Sequence, residues 1–249
     1  MISSLVAGRF AHALRATRTL LGAVFVTPPS PRKPYVQGVT TSSAVICWVS
    51  ERPDAGVVEY GHTPELGGKV ADAWVGRRHA VALTGLGPGS TYYYRVAAAG
   101  RSSATGCFRT APVEEDSSFA FAVVGDSGSG GKRQLAVAGL LKRLRPDLVL
   151  HTGDVVYPAG KERHFDRRFF APYGDLIKEV PIFPVHGNHD VRRRKGTAFL
   201  ENFHPPLGSP RSTKRYYSFD WGGVHFVALD TELYYHDKDS RPEEQKAFL

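Results

Sequence analysis

The sequence predicts two domains, an all-β sandwich over residues 34–112 and an α/β domain over 118–249, with residues 1–33 outside the folded body. Three observations carry this reading. Residues 34–112 hold six or seven short runs of β-branched and aromatic residues, broken by Gly, Pro, Ser and Asp, as in an antiparallel sandwich. In the second half, Phe121–Val124, Leu148–His151 and residues 182–185 are apolar runs separated by helix-length segments, the pattern of buried parallel strands. Each of these three runs ends in a cluster of Gly, Asp, Asn and His, and ligands of such sheets sit at the carboxyl ends of the strands.

Residues 1–33 contain no acid, and Arg9, Arg15 and Arg18 precede the apolar run 20–26, with Pro28, Pro29 and Pro31 after it. A basic segment before a short apolar run has the form of a minimal export signal, which would place the protein outside the cytoplasm or in the secreted fraction. A loose membrane-surface anchor, an unfolded leader and a mis-assigned start are the other readings. The run is too short to span a bilayer. The formal net charge is +8, but it is unevenly divided. Residues 1–112 hold 12 basic and 5 acidic side chains, whereas residues 113–249 hold 20 and 19. The half with the candidate chemistry is therefore near neutral, which argues against nucleic acid as a partner.

Within 34–112, alternation turns Ile46, Trp48 and Phe108 inward, so Cys47 and Cys107 point outward. The corner Leu86-Gly87-Pro88-Gly89 feeds a strand with Tyr92, Tyr93 and Val96, of which Tyr92 or Tyr93 faces the core with Val96. This stretch resembles the fibronectin type III pattern. The resemblance puts the two cysteine strands in opposite sheets, so two free thiols are expected. His62 and His79 have no acidic or cysteine partner at ligand spacing and are expected at the surface or at strand ends.

In 118–249, helices are expected over 132–145, 164–177, 196–203 and from 241 onward. The first shows an amphipathic stripe of Leu135, Val137, Ala138, Leu140, Leu141 and Leu144. A hairpin turns through Trp221-Gly222-Gly223 and ends at Asp230. At the strand ends, Asp126 lies in Gly-Asp-Ser-Gly, where flanking glycine allows close backbone approach. Asp154 can bridge two cations, and Tyr157, three residues on, is a core aromatic or a hard phenolate ligand. Asn188 offers a neutral carbonyl oxygen, and His189 with Asp190 forms an imidazole–carboxylate pair suited to proton transfer. Hard oxygen donors with imidazoles suit two hydrolytic metal ions better than a nucleophilic triad. Arg192, Arg193, Arg194 and Lys195 follow directly, as a solvated face or as a cationic rim for anionic substrates.

The runs GDSG, GDVVYPAG and HGNHD resemble the metallophosphoesterase signature, and the position of Tyr157 narrows the resemblance to purple acid phosphatases, whose members often carry a fibronectin-like sandwich first. The resemblance covers about 34–249. It implies that Asp126, Asp154 and Tyr157 ligate Fe(III), that Asp154 bridges to a second divalent metal (Fe, Zn or Mn), and that Asn188 binds this second ion. It further implies that His189 contacts the substrate phosphate; with the residue reading above, His189 and Asp190 are the expected catalytic groups, and Asn188, His189 and Arg192 the expected binding set for small phosphorylated substrates. The implied activity is hydrolysis of phosphomonoesters by a hydroxide that the two metals activate. Phosphodiester or nucleotide hydrolysis, and a non-catalytic binding role, are the alternatives. The family pattern continues to an isolated His and a Gly-His-x-His pair that do not occur before Leu249, so a C-terminally incomplete chain with little activity is expected. His204, His225 and His236 do not substitute for them, His225 being a strand residue and His204 a loop residue. His151 and His186 are expected behind the ligands.

Overall fold

The structure, a computed structural model, describes residues 29–98, 100–113, 118–207, 212–232 and 241–249. The leader 1–28 and His236 lie outside the described residues. The first domain is built from β1 (Arg32–Gln37), β2 (Ser43–Asp54), β3 (Val57–Gly61), β4 (Gly68–Ala71), β5 (Gly76–Thr84), β6 (Thr91–Ala98), β7 (Arg101–Ser102) and β8 (Gly106–Arg109). One antiparallel sheet has the order β1-β2-β5; the other has the order β4-β3-β6, with β7 and β8 both paired to β6. Side-chain alternation sends Ile46, Trp48, Val58, Leu83, Tyr94, Val96 and Phe108 into the space between the sheets. Tyr92, rather than Tyr93, is the inward residue, and its hydroxyl accepts the Gly87 amide at 2.8 Å, fastening the corner.

Two expectations for this domain need correction. Cys47 and Cys107 are free and lie on opposite sheets, but the outward face of β2 is not solvated: Cys47 is 1% exposed, covered with Tyr35 and Val45 by the second domain. His79 is not a surface residue. It is buried, stacks on Trp48 at 4.3 Å, and meets Asp72 Oδ2 at 3.0 Å and Ser50 Oγ at 3.2 Å. His62 is exposed, as expected.

The second domain adds β9 (Phe121–Val124), α1 (Lys132–Leu144), β10 (Leu148–His151) and α2 (Glu162–Phe165), which runs through a π turn (Asp166–Phe170) into α3 (Ala171–Ile177). Then come β11 (Ile182–Pro184), α4 (Asn188–Val191), a 3-10 turn (Arg194–Gly196), α5 (Thr197–Asn202), the hairpin β12 (Tyr217–Trp221) and β13 (Val224–Ala228), and α6 (Arg241–Lys246). The parallel sheet has the order β11-β10-β9. Its strands alternate between two cores. Leu148 and Phe183 face the hairpin, where Phe219 stacks on Phe183 at 3.9 Å and the Tyr217 hydroxyl donates to the Pro184 carbonyl at 2.9 Å. Val149 and Ile182 face the helices, among Leu141, Phe165, Phe169 and Tyr173. The second domain is thus a helix-flanked pair of packed sheets.

Not every apolar run is buried. β9 forms an edge, so Phe121 and Val123 are about half exposed instead of enclosed. In α1 the buried residues are Gln134, Ala138 and Leu141, while Leu135, Val137, Leu140 and Leu144 are exposed. Gln134 is inside because it links two loops, accepting from Gly130 N at 2.7 Å and donating to the Arg168 carbonyl at 2.5 Å. Among the described residues, no helix is long and apolar enough to cross a membrane.

The domains meet where α2, the π turn and α5 cover the outer face of β1-β2-β5. Arg32, 3% exposed in its side chain, contacts Glu162, donates to Asp166 Oδ1 at 2.7 Å and Asn202 Oδ1 at 2.5 Å, and lies 3.9 Å from the Phe170 ring centroid. Arg78 adds a second ion pair to Glu162 at 3.0 Å. The Tyr35 hydroxyl donates to the Asn202 carbonyl at 3.2 Å.

Candidate metal centre

The site forms where β9, β10 and β11 end. Asp126 stands two residues beyond β9 and Asp154 three residues beyond β10, and both adopt a left-handed backbone with φ of 51°. Asp tolerates that region better than most residues, yet it costs on the order of 1 kcal/mol at each position. The strained turns bring the two carboxylates to one phenol. The Tyr157 hydroxyl lies 2.5 Å from Asp126 Oδ1 and 2.9 Å from Asp154 Oδ2. Burial, then the hydrogen bonds to both carboxylates, push the Tyr157 phenol well above its ordinary range. Its one proton therefore serves three oxygens, which marks the point where positive charge is most favourable. This donor set fits a hard cation, with Asp126, Asp154 and Tyr157 as the residues that would hold it.

The other oxygen of Asp154 accepts the His189 amide at 3.0 Å, tying the second loop to the third. The His189 ring bonds the Pro158 carbonyl through Nδ1 at 2.8 Å and packs 4.5 Å from the Tyr157 ring. A carbonyl only accepts, so Nδ1 carries the proton and Nε2 is left as acceptor in the neutral ring and donor in the cation. Asn188 and Arg192 are exposed on the same turn.

The expected His189–Asp190 pair does not form. Asp190 is 0% exposed, and its carboxylate accepts from Val155 N at 2.9 Å, Gly187 N at 3.0 Å and Val156 N at 3.0 Å. Burial pushes this carboxyl up to about 6, against the downward pull of the three amides. It clamps the Asp154 loop to the Asn188 loop instead of moving protons for His189. His151 sits behind the Asp126 loop: Nδ1 accepts from Gly153 N at 3.3 Å, so Nε2 donates to Ser127 Oγ at 2.9 Å. Burial lowers its pKa to about 4, which keeps the ring neutral. His186 is engaged by Asp230 at 2.9 Å, with Arg215 at 3.4 Å from the same carboxylate. Burial opposes ionisation of Asp230, but the hydrogen bond and charge of His186, then Arg215, hold it below its usual range. His225 lies on β13 and His204 in a loop, as expected.

Close approach of the loops depends on glycine. A Cβ at Gly187 would lie 2.3 Å from Asp154 Oδ1 and 2.5 Å from its backbone nitrogen. Gly187→Ala is therefore expected to keep the fold, lower the thermal midpoint by about 5 °C, and weaken metal binding about tenfold or more. Circular dichroism melts and metal titration check this; unchanged metal affinity would show that Asp154 need not stay in place. Sequence reasoning also missed Arg168, whose Nη1 donates to the Tyr157 carbonyl at 2.7 Å. No local signal marks it, because it reaches the site from the π turn.

Among the described residues, no three His, Cys, Asp or Glu side chains cluster so as to hold a metal ion. The donors brought together are two carboxylates and a phenol, while Asn188 is exposed on the turn that follows β11.

The calcineurin-like phosphoesterase family model matches residues 119–246, and the model for the purple acid phosphatase N-terminal domain matches 25–110. The chain is 30% identical to purple acid phosphatase 15 of Arabidopsis thaliana over 188 residues, which is 63% of this chain and 35% of that protein. It is 28% identical to human acid phosphatase type 7 over 162 residues, again 63% of this chain and 35% of the relative. The chain thus spans about a third of the length of these relatives. The structure of the purple acid phosphatase PPD1 from yellow lupin seeds superposes with a TM-score of 0.70 at 21% identity, covering 90% of this chain and 49% of that one. The strand-end loops, the sandwich before them and both family matches agree: the chain belongs to the calcineurin-like phosphoesterase family, with a purple acid phosphatase N-terminal domain preceding the phosphoesterase fold.

Proposed function

We propose that this protein serves metal-dependent hydrolysis of phosphomonoesters. The observation that carries the reading is the Tyr157 hydroxyl shared between Asp126 and Asp154 at 2.5 and 2.9 Å, at the carboxyl ends of adjacent parallel strands. When bound, Fe(III) and a second divalent ion would supply Lewis-acid polarisation of the phosphoryl group and activation of water. Asp126, Asp154 and Tyr157 would hold the first ion, and Asp154 with Asn188 the second. His189, its Nδ1 proton committed to Pro158, offers Nε2 to the phosphate or to the leaving oxygen. Asp190 holds the two loops in register from beneath. Arg192 binds a non-reacting phosphate oxygen. Export directed by the basic leader belongs to the same reading.

The test is iron loading followed by visible spectroscopy and assay with a chromogenic monoester. Wild-type protein should show a tyrosinate-to-iron band and hydrolysis. Tyr157→Phe should lose the band while the fold is kept. An iron-loaded, colourless wild-type protein would remove Tyr157 from the ligand set. A second reading, a binding protein with a partial metal site, is favoured by the absence of a third His, Cys, Asp or Glu beside the two aspartates among the described residues. Iron that fails to bind at micromolar concentration would favour it.

A further inference from the structure

Beside the metal centre, a cleft of about 440 Å³ opens between the loop that starts α2 and the Arg192–Thr197 segment. Lys161 and Arg163 line one side; Arg192, Arg193 and Arg194 line the other. Two acids also line it, Glu162 and Glu201, but both are engaged from behind: Glu162 by Arg32 and Arg78, Glu201 by Arg78 at 3.5 Å. Among the described residues, Lys161, Arg163, Arg192 and Arg193 form no ion pair with a carboxylate. The cleft is strongly cationic toward whatever enters it.

The backbone of its basic wall is fixed, while the side chains of Arg192, Arg193 and Arg194 are exposed. Arg194 and Lys195 both adopt φ of 51°, two successive non-glycine residues in the left-handed region. That conformation is fixed from three sides. Thr197 Oγ1 donates to the Arg194 carbonyl at 2.7 Å, Gly196 N to the Arg193 carbonyl at 3.1 Å, and Arg215 Nη2 to the Lys195 carbonyl at 2.5 Å. Arg215 is itself held by the buried Asp230 at 3.4 Å.

The cleft and the metal centre share a helical turn. Arg192 continues the helical backbone of α4 with φ −55° and ψ −22°, so it lies one turn beyond Asn188 on the same face. On the opposite side, Gly160 N donates to the His189 carbonyl at 2.8 Å, and Gly160 also lines the cleft.

We propose that this cleft is an anion subsite, binding a second phosphate of a substrate whose first phosphate lies at Asn188 and His189. The substrate class is then phosphomonoesters with a further phosphate a few bonds from the reacting one. The proposal rests on the phosphoesterase reading for the first phosphate, but its binding test does not. Propane-1,3-bisphosphonate is titrated calorimetrically into the chelator-treated chain, and into the variant Arg163→Gln/Arg193→Gln. Both side chains are exposed, so the variant should fold. The expected result is saturable binding that weakens at least about tenfold in the variant, as loss of charge-assisted hydrogen bonds requires. Equal affinity in the two proteins, or no binding by about 10 mM, overturns the subsite. In a second arm, the metal-loaded wild-type protein should hydrolyse a three-carbon bisphosphate with KM about tenfold below that of the matching monophosphate. The variant should abolish that difference and leave the monophosphate kcat/KM unchanged. Hydrolysis of neither ester would sink the phosphoesterase reading and leave the calorimetric result to decide the subsite.

Discussion

Asp154→Asn is expected to weaken metal binding by at least about a hundredfold while leaving the fold intact. Substitutions that only support a ligand cost roughly 10–100-fold, and this one removes the charge that both proposed ions share. Asn is the informative replacement because it tolerates the left-handed backbone that Asp154 adopts, whereas Ala there adds strain. Its amide oxygen can still accept the His189 amide that Asp154 Oδ1 accepts at 3.0 Å, so the third loop stays attached. The effect on stability should have the opposite sign without metal. Asp126 and Asp154 both approach one hydroxyl, and their mutual repulsion is relieved when one becomes neutral. The metal-free variant should therefore melt at or above the wild-type midpoint, and the metal-loaded wild type should melt higher than both. Metal titration and paired thermal melts measure this. A variant that binds iron with wild-type affinity would mean that Asp154 is not a ligand.

The parts of the site that were legible in the sequence are those whose chemistry is local. Asp126 and Asp154 follow apolar runs through glycine, and strand-end geometry brings both to the Tyr157 hydroxyl. Asp190 was misread for an equally local reason. It adjoins His189 in sequence, but successive residues of a helical turn do not face each other. Asp190 points to three amides from two loops while His189 turns to Pro158. The same limit governs His79, whose partner Asp72 lies across the approach to β5 and at no recognisable ligand spacing.

Alternation told correctly which way Cys47 points but not what covers it. Period two separates the faces of a strand; whether the outer face meets water depends on the neighbouring domain. A count of apolar residues likewise could not choose the inner stripe of α1, where the Gln134 hydrogen bonds set the rotation and leave Leu135 and Leu144 outside. β9 reads as a buried strand because it is apolar, and only the sheet order shows it at an edge.

The domain interface is the other place where one substitution should have a large effect. Arg32→Ala is expected to cost about 3 kcal/mol, the low end of the usual penalty for breaking a buried ion pair, because Glu162 keeps a second arginine. For a chain of this size that corresponds to a fall in thermal midpoint on the order of 10 °C. The charge left behind is Glu162, whose side chain is 4% exposed and which keeps Arg78 at 3.0 Å and the Asn202 side-chain amide at 3.4 Å. Asn202 and Asp166 each lose a donor as well, and the Phe170 ring loses the guanidinium above it. Arg32→Met with Glu162→Gln should be less damaging than Arg32→Ala, because the pair is removed together and the volume is kept. The loss should also reach the metal centre. Glu162 begins α2 immediately after the loop whose Pro158 carbonyl and Gly160 amide bind His189. Melts of the three variants with and without metal separate these effects. A midpoint unmoved by Arg32→Ala would mean that the network does not hold the domains together, and the sandwich would then have no path by which to steady His189.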